Sequence, residues 1–249
     1  MKSLEVLAEV HRRLQPERYL EIGVRQGHSL ALARCQAVGI DPQYAIEAEL
    51  RCDVSLFRTT SDDYFNRPDP LEPTGGRPFD LTYVDGLHLF EFVLRDVINV
   101  ERCSSPHGVI LIDGVLPRNV DEAARVRHTG VWTGDAYQLI GVLRTYRPDL
   151  AVVPLATEPT GMLLLAGLDP TNTVLAARYD QIVSEFRATD PQQVPADLID
   201  RLDAQPARRV LDSDLWSVLR SAAPTDGSVM TQQQIAGCLS AQLGPAFAR

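Results

Sequence analysis

Apolar residues fall into short runs along the first two thirds of the chain, and the stretches between these runs repeat at helical spacing. Leu4, Leu7, Ala8, His11 and Leu14 recur every three or four positions before Pro16, which predicts a helix ahead of an apolar strand at 19–22. The spacing then predicts a helix over 27–34, strands at 37–40, 55–59 and 79–84, a helix over 88–101 and a strand at 108–112. Strand alternating with helix makes successive βα units, so the expected fold class is α/β, a doubly wound parallel sheet covered on both faces. The proline- and glycine-rich stretch 67–78 reads as a surface loop. The long polar stretch 114–131, with Arg118, Arg125, Arg127 and His128, reads as a loop or lid beside a site and leads into a helix near Asp135. From Thr171 the pattern becomes purely helical. Leu175, Tyr179, Ile182 and Phe186 form one stripe, Leu211, Leu215 and Val218 another, and Ile235, Leu239 and Leu243 a third, with Thr231 and Gln234 spaced as a capping box for the last helix. No internal repeat is visible.

The first strand carries the most informative chemistry. Tyr19-Leu20-Glu21-Ile22 runs directly into Gly23-Val24-Arg25-Gln26-Gly27, an acid followed by two glycines four residues apart. At a strand-to-helix turn, Gly23 allows a conformation or an approach distance that a Cβ forbids, and Gly27 lets the following helix close onto the strand. Twenty residues after Glu21 a second apolar run ends in Asp41, where a carboxylate can meet ribose hydroxyls. This is a nucleoside-binding signature with a departure: Arg25 stands where the dinucleotide fingerprint has its middle glycine, and an acid precedes the turn. A ligand without pyrophosphate, carrying a positive centre and an amino group, suits it better.

Composition narrows the partners. The chain has 249 residues, 45% of them hydrophobic, enough for one substantial core and a modest appendage. A net charge of −9 disfavours nonspecific binding to nucleic acid or to an anionic membrane, both of which need clustered Lys and Arg. Cys35, Cys52, Cys103 and Cys238 show no C-x-x-C spacing, which fits reduced thiols better than disulfides or a zinc site. There is no secretory apolar core and no run long enough to span a bilayer, so the expected location is the cytoplasm.

The E-x-G-x-x-x-G pattern resembles the first motif of class I S-adenosylmethionine (SAM) dependent methyltransferases. Asp85-Gly86-Leu87-His88-Leu89-Phe90-Glu91-Phe92-Val93-Leu94-Arg95-Asp96 resembles the D-G-x-H-x-(aromatic)-E-x-V-x-x-D segment of the branch containing sugar and natural-product O-methyltransferases. Residues 108–113 and Trp132-Thr133-Gly134-Asp135-Ala136-Tyr137 are similar to the fifth strand and the W-x-G-D-x-(aromatic) helix start of bacterial members of that branch. The resemblance implies a seven-stranded, mostly parallel sheet closed by an antiparallel hairpin from the runs 150–155 and 161–166. It also implies a methyltransferase domain over 1–168, with 169–249 left as a helical C-terminal extension. The extension is expected to pack on the core or on a second copy of the chain, the latter making a homo-oligomer.

In this branch SAM is the cofactor and the acceptor is a small molecule, most often a hydroxyl. The resemblance implies that Glu21, Gly23, Val24 and Gly27 hold the methionine part, Asp41 the ribose, and Ser61 and Asp62 the adenine edge, while Asp85 borders cofactor and acceptor alike. His88, three residues past Asp85, is the candidate base, since an imidazole titrates near neutrality. Some relatives bind Mg²⁺ through acids after the fourth and fifth strands, and Asp85 and Asp113 occupy those positions as metal candidates. Gly114 departs from those enzymes, which carry another oxygen ligand there, and Asp113 is alternatively a structural or basic group. Trp132 could line the acceptor pocket, whereas Tyr137 reads as core packing. The rivals are a noncatalytic SAM or nucleoside binding protein, which the Gly114 departure keeps open, and a nicotinamide-dependent oxidoreductase, which the missing middle glycine disfavours.

Overall fold

A computed structural model describes residues 1–221 and 228–244; residues 222–227 and 245–249, the remainder of the expected C-terminal extension, lie outside the described residues. The first helix, α1 (Ser3–Leu14), leads into β1 (Arg18–Ile22), β2 (Gln36–Ile40), β3 (Val54–Phe57), α2 (Ser61–Phe65), β4 (Phe79–Val84), α3 (Phe90–Arg102) and β5 (Ser104–Asp113). The chain continues through α4 (Gln138–Tyr146), β6 (Ala151–Leu155) and β7 (Met162–Ala166). Among the described residues the strands form one seven-stranded sheet in the order β3-β2-β1-β4-β5-β7-β6. The pairings from β3 through β5 are parallel, and β7 runs antiparallel to both β5 and β6. Strand order therefore reverses between β1 and β4, which opens a crevice at their carboxyl ends.

Period-two alternation divides the core between the two faces of the sheet. Leu20, Ile22, Val38, Ile40, Val84 and Ile112 face α3 and α4, whereas Tyr19, Leu81, Tyr83, Val109 and Leu111 face α1. The C-terminal stripes follow the same division. Leu175 and Ile182, on α5 (Val174–Ala177) and α6 (Tyr179–Phe186), join the first face. A short α7 (Ala196–Ile199) follows, and then α8 (Ala207–Leu211), α9 (Leu215–Ser221) and α10 (Ser228–Leu243) bury Leu211, Leu215, Leu219, Ile235 and Leu239 on the second face beside α1. The extension packs on the core, and it contributes to both sides of it.

Several local expectations need correction. The helix expected over 27–34 is a single 3-10 turn at Leu30–Leu32: Gly27 takes φ +81° and the Ser29 hydroxyl reaches down to Glu21, so the chain leaves helical geometry to satisfy a buried acid. The apolar face of α1 is Val6, Leu7, Val10 and Leu14, while Leu4 is 44% exposed. The rotation follows from Ser3, which turns inward to Asp113. Helix α3 begins at Phe90, which leaves His88 in the loop before it. Thr231 is a buried residue inside α10, whose start at Ser228 rules out the capping box.

Candidate active site

The crevice between β1 and β4 is a cavity of about 860 Å³, within the range of roughly 300–1,000 Å³ usual for small-molecule sites. Its walls come from the turn after β1 (Gly23, Arg25), the end of β2 (Asp41), the start of α2 (Ser61, Asp62), the loop after β4 (Asp85, His88) and the stretch Gly130–Trp132. The long polar loop after β5 does border the site.

Gly23 is fixed by geometry. It takes φ +89°, and a Cβ there would lie 2.0 Å from the carbonyl oxygen of Asp85, so only glycine lets the turn after β1 seat against the end of β4. Asp41 ties the neighbouring loops together: its carboxylate accepts from the backbone N–H of Arg25 at 2.8 Å and of Gln43 at 2.6 Å, and it still lines the cavity. The structure does not bring Glu21, Val24 or Gly27 to the cavity wall. Val24 is a core residue, and Gly27 packs beneath the Ile46 side chain. Glu21 is fully buried under the turn, where Tyr19 Oη donates at 2.7 Å and Ser29 Oγ at 2.6 Å. Burial pushes its carboxyl up to about 7, and the charges of Asp85 and Asp41 add to that. Glu21 supports the turn after β1 from beneath, through Ser29.

His88 meets Asp85 with 3.3 Å between Nε2 and Oδ1, and its ring stands edge-on to Trp132 with centroids 5.8 Å apart. The W-x-G-D segment builds this corner. A Cβ on Gly134 (φ +50°) would lie 2.0 Å from the carbonyl oxygen of His88, so that glycine permits direct contact between the two loops. Asp135 accepts from the N–H of Phe90 at 2.9 Å, satisfying one of the free donors at the start of α3. Arg125 bridges Asp135 and Glu91, so the loop after β5, the start of α3 and the approach to α4 are joined by one half-buried ion cluster. Sequence reasoning missed this support, although the Gly-Asp pair of the motif was its visible sign. Tyr137 is buried, with its hydroxyl 3.2 Å from Gln192 Oε1.

Asp113 faces the core side. Its carboxylate accepts from Ser3 Oγ at 2.9 Å, Tyr83 Oη at 3.0 Å and the Gly114 N–H at 3.0 Å, and burial, with the Asp85 charge next, pushes its pKa up to about 6. Gly114 has φ +70°, and a Cβ there would stand 2.6 Å from His88 Cε1. The ring thus fills the space where a further oxygen ligand would be needed. Among the described residues no group of three or more His, Cys, Asp or Glu side chains is arranged to hold a metal ion. Mg²⁺ keeps several waters and needs free carboxylate oxygens, and of the two candidate acids Asp85 lines the cavity whereas Asp113 is already engaged by Ser3, Tyr83 and the Gly114 N–H.

At the far end, Ser61 and Asp62 line the cavity, but both Asp62 oxygens are engaged by Arg95 at 2.9 and 2.7 Å. Thr60 caps α2, accepting from the N–H of Asp63. Asp96, which sequence reasoning noted only as the end of a motif, also lines this end and is 3% exposed.

Residues 20–115 match a family model described as a methyltransferase domain. That stretch, less than half of the chain, is what the likeness to a methyltransferase domain covers. No curated protein matches the chain. Similar solved structures include a putative O-methyltransferase from Klebsiella pneumoniae, at 17% identity over 67% of this chain and 80% of that one, with a TM-score of 0.49. The O-methyltransferase TomG from Streptomyces achromogenes, solved in complex with SAM, is 18% identical over 66% of this chain and 78% of its own, with a TM-score of 0.48. An O-methyltransferase from Bacillus cereus, solved with S-adenosylhomocysteine (SAH), is 16% identical over 67% and 82%, with a TM-score of 0.45. The matched stretch runs from β1 past the end of β5 and so includes Glu21, Asp41, Asp85, His88 and Asp113.

Proposed function

We propose that this methyltransferase domain moves the methyl group of SAM to a hydroxyl of a small-molecule acceptor, with His88 as the base. The observation that carries the reading is the Asp85–His88 pair at the mouth of a cavity whose other walls come from the turns after β1, β2 and β3. SAM supplies an electrophilic methyl on a sulfonium, and the acidic surroundings suit that positive centre: Asp41 and Asp85 line the cavity and Glu21 lies beneath it. Asp85, 3.3 Å from His88 Nε2, would stabilise the imidazolium formed once a proton is accepted. Trp132, Leu87 and Phe92 give the same cavity apolar walls, which would orient an acceptor and exclude water from it. Asp113 is assigned a structural role beneath His88, and no step is routed through a metal. Residues 1–168 are assigned as the methyltransferase domain and 169–249 as the extension that completes its core. The acidic net charge supports a small-molecule acceptor over nucleic acid.

Calorimetry with SAM, SAH and NAD tests the cofactor, and methyl transfer to a panel of hydroxylated acceptors tests the reaction. His88→Ala is expected to cut turnover by about a hundredfold to ten thousandfold, the usual worth of a general base, and to leave SAH affinity unchanged. Near-normal turnover in that variant would remove His88 from the chemistry. Binding of SAH with no transfer to any acceptor would favour the noncatalytic reading.

A further inference from the structure

The cavity has two sides. Gly23, Arg25 and Asp41 stand at the ends of β1 and β2, whereas His88 leans on Gly114 at the end of β5, next to the stretch Gly130–Trp132. An acceptor hydroxyl that is to meet His88 therefore enters on the β5 side. The wall of that side also carries Arg127. Its guanidinium lies over the Trp132 ring, 5.9 Å from the centroid, with Nη2 donating to the Gly130 carbonyl at 3.0 Å and Nε 3.5 Å from the Thr129 carbonyl oxygen. The ring beneath it is pinned in turn, since Trp132 Nε1 donates to the Ala124 carbonyl at 2.6 Å. These contacts orient the guanidinium without neutralising it. Among the described residues Arg127 has no ion pair, whereas Arg95, Arg118 and Arg125 each meet a carboxylate. Arg25, the other arginine of the cavity, belongs to the turn after β1. In a chain of net charge −9 acids are plentiful, so a guanidinium held at a cavity wall without one, with Nη1 unengaged, is free to meet an anionic ligand.

We infer that Arg127 binds a carboxylate on the acceptor, which makes the substrate a small hydroxylated organic acid; the inference rests on the methyl-transfer reading above. Trp132 touches both His88 and Arg127, so the hydroxyl and the carboxylate are presented along one indole by the same small molecule. A single guanidinium suits a single negative charge. A doubly charged phosphate monoester would be repelled more strongly by Asp41 and Asp85, which share the cavity.

The test is calorimetry on the full chain loaded with SAH, with hydroxybenzoates and hydroxyalkanoates compared against their primary amides and against phosphate monoesters of the same size. The acids should bind about tenfold or more tighter than the amides at low salt, the scale of a hydrogen bond to a charged group. That margin should shrink as salt is raised, because Arg127 is exposed. Arg127→Gln should erase it, and Arg127→Lys, which keeps the charge but loses the planar fork, should retain part of it. SAH binding by each variant reports that it is folded. Equal affinity for acids and amides in a SAH-binding wild type overturns the inference, and this comparison needs no variant. A panel in which no acid binds, a margin that persists in Arg127→Gln, or tighter binding of the phosphate monoesters overturns it equally. If the wild type binds no SAH at all, the SAM reading fails and this inference falls with it.

Discussion

Adding one methyl group at Gly114 should disable His88 without touching the cofactor. The position has φ +70°, which costs an alanine about 1–2 kcal/mol. Its Cβ would lie 2.6 Å from His88 Cε1 and 2.8 Å from Nδ1, whereas ordinary carbon contacts sit at about 3.5–4.0 Å. The ring therefore has to shift by roughly 1 Å, which disturbs its 3.3 Å approach to Asp85. Misplacement of a reacting group by about that much costs on the order of a hundredfold in rate. Gly114→Ala should then lose turnover on this scale, keep its affinity for SAH, and melt a few degrees below wild type, about 2–4 °C per kcal/mol for a chain of this size. The assay is steady-state methyl transfer together with calorimetry, repeated in a His88→Ala background. There the second substitution should bring no further rate loss, because the group it displaces is already gone. Wild-type turnover in Gly114→Ala, or a full additional loss in the double variant, would refute the placement of His88 as the group that Gly114 accommodates.

Glu21→Gln should change how stability depends on pH. The buried carboxyl has a folded pKa of about 7 against an ordinary 4.5, so the folded state holds its proton more tightly and loses stability as pH rises from about 4.5 through 7, by an amount on the order of 3 kcal/mol. Urea midpoints at about pH 5 and pH 8 should show the variant gaining on wild type at the higher pH, and a difference independent of pH would contradict the burial argument. Arg125→Leu strands Glu91 and the fully buried Asp135, and should cost about 3–5 kcal/mol in chemical denaturation along with most of the activity. A loss under 1 kcal/mol would show the cluster to be solvated. Truncation after residue 168 uncovers apolar surface on both faces of the sheet and should abolish cooperative unfolding by circular dichroism. A soluble shortened chain with a sharp transition would show that the extension does not complete the core.

The sequence by itself determined the strands and the turn chemistry at their ends. Alternating and continuous apolar runs marked β1, β2 and β4 to within a residue, because strand burial is written in local periodicity. Gly23 was legible as a residue needing a bare Cα, and the motif from Asp85 to Asp96 was visible as one unit. Local pattern failed where a distant partner overrode it: the segment after Gly27 unwinds because Ser29 answers the buried Glu21, and α1 rotates because Ser3 answers Asp113. Only the tertiary structure decided which acids are free and which are engaged. Asp62 reads in the sequence like any exposed helix-start acid, yet Arg95 occupies it, while Asp96 reads like a helix-surface charge and lines the cavity. Gly114 reads as a missing metal ligand until the His88 ring is seen against it. The physical reason is the same in each case. Periodicity records how much of a residue is buried, but contacts such as Asp62 with Arg95 or Ser3 with Asp113 are fixed only when strand order brings remote segments together.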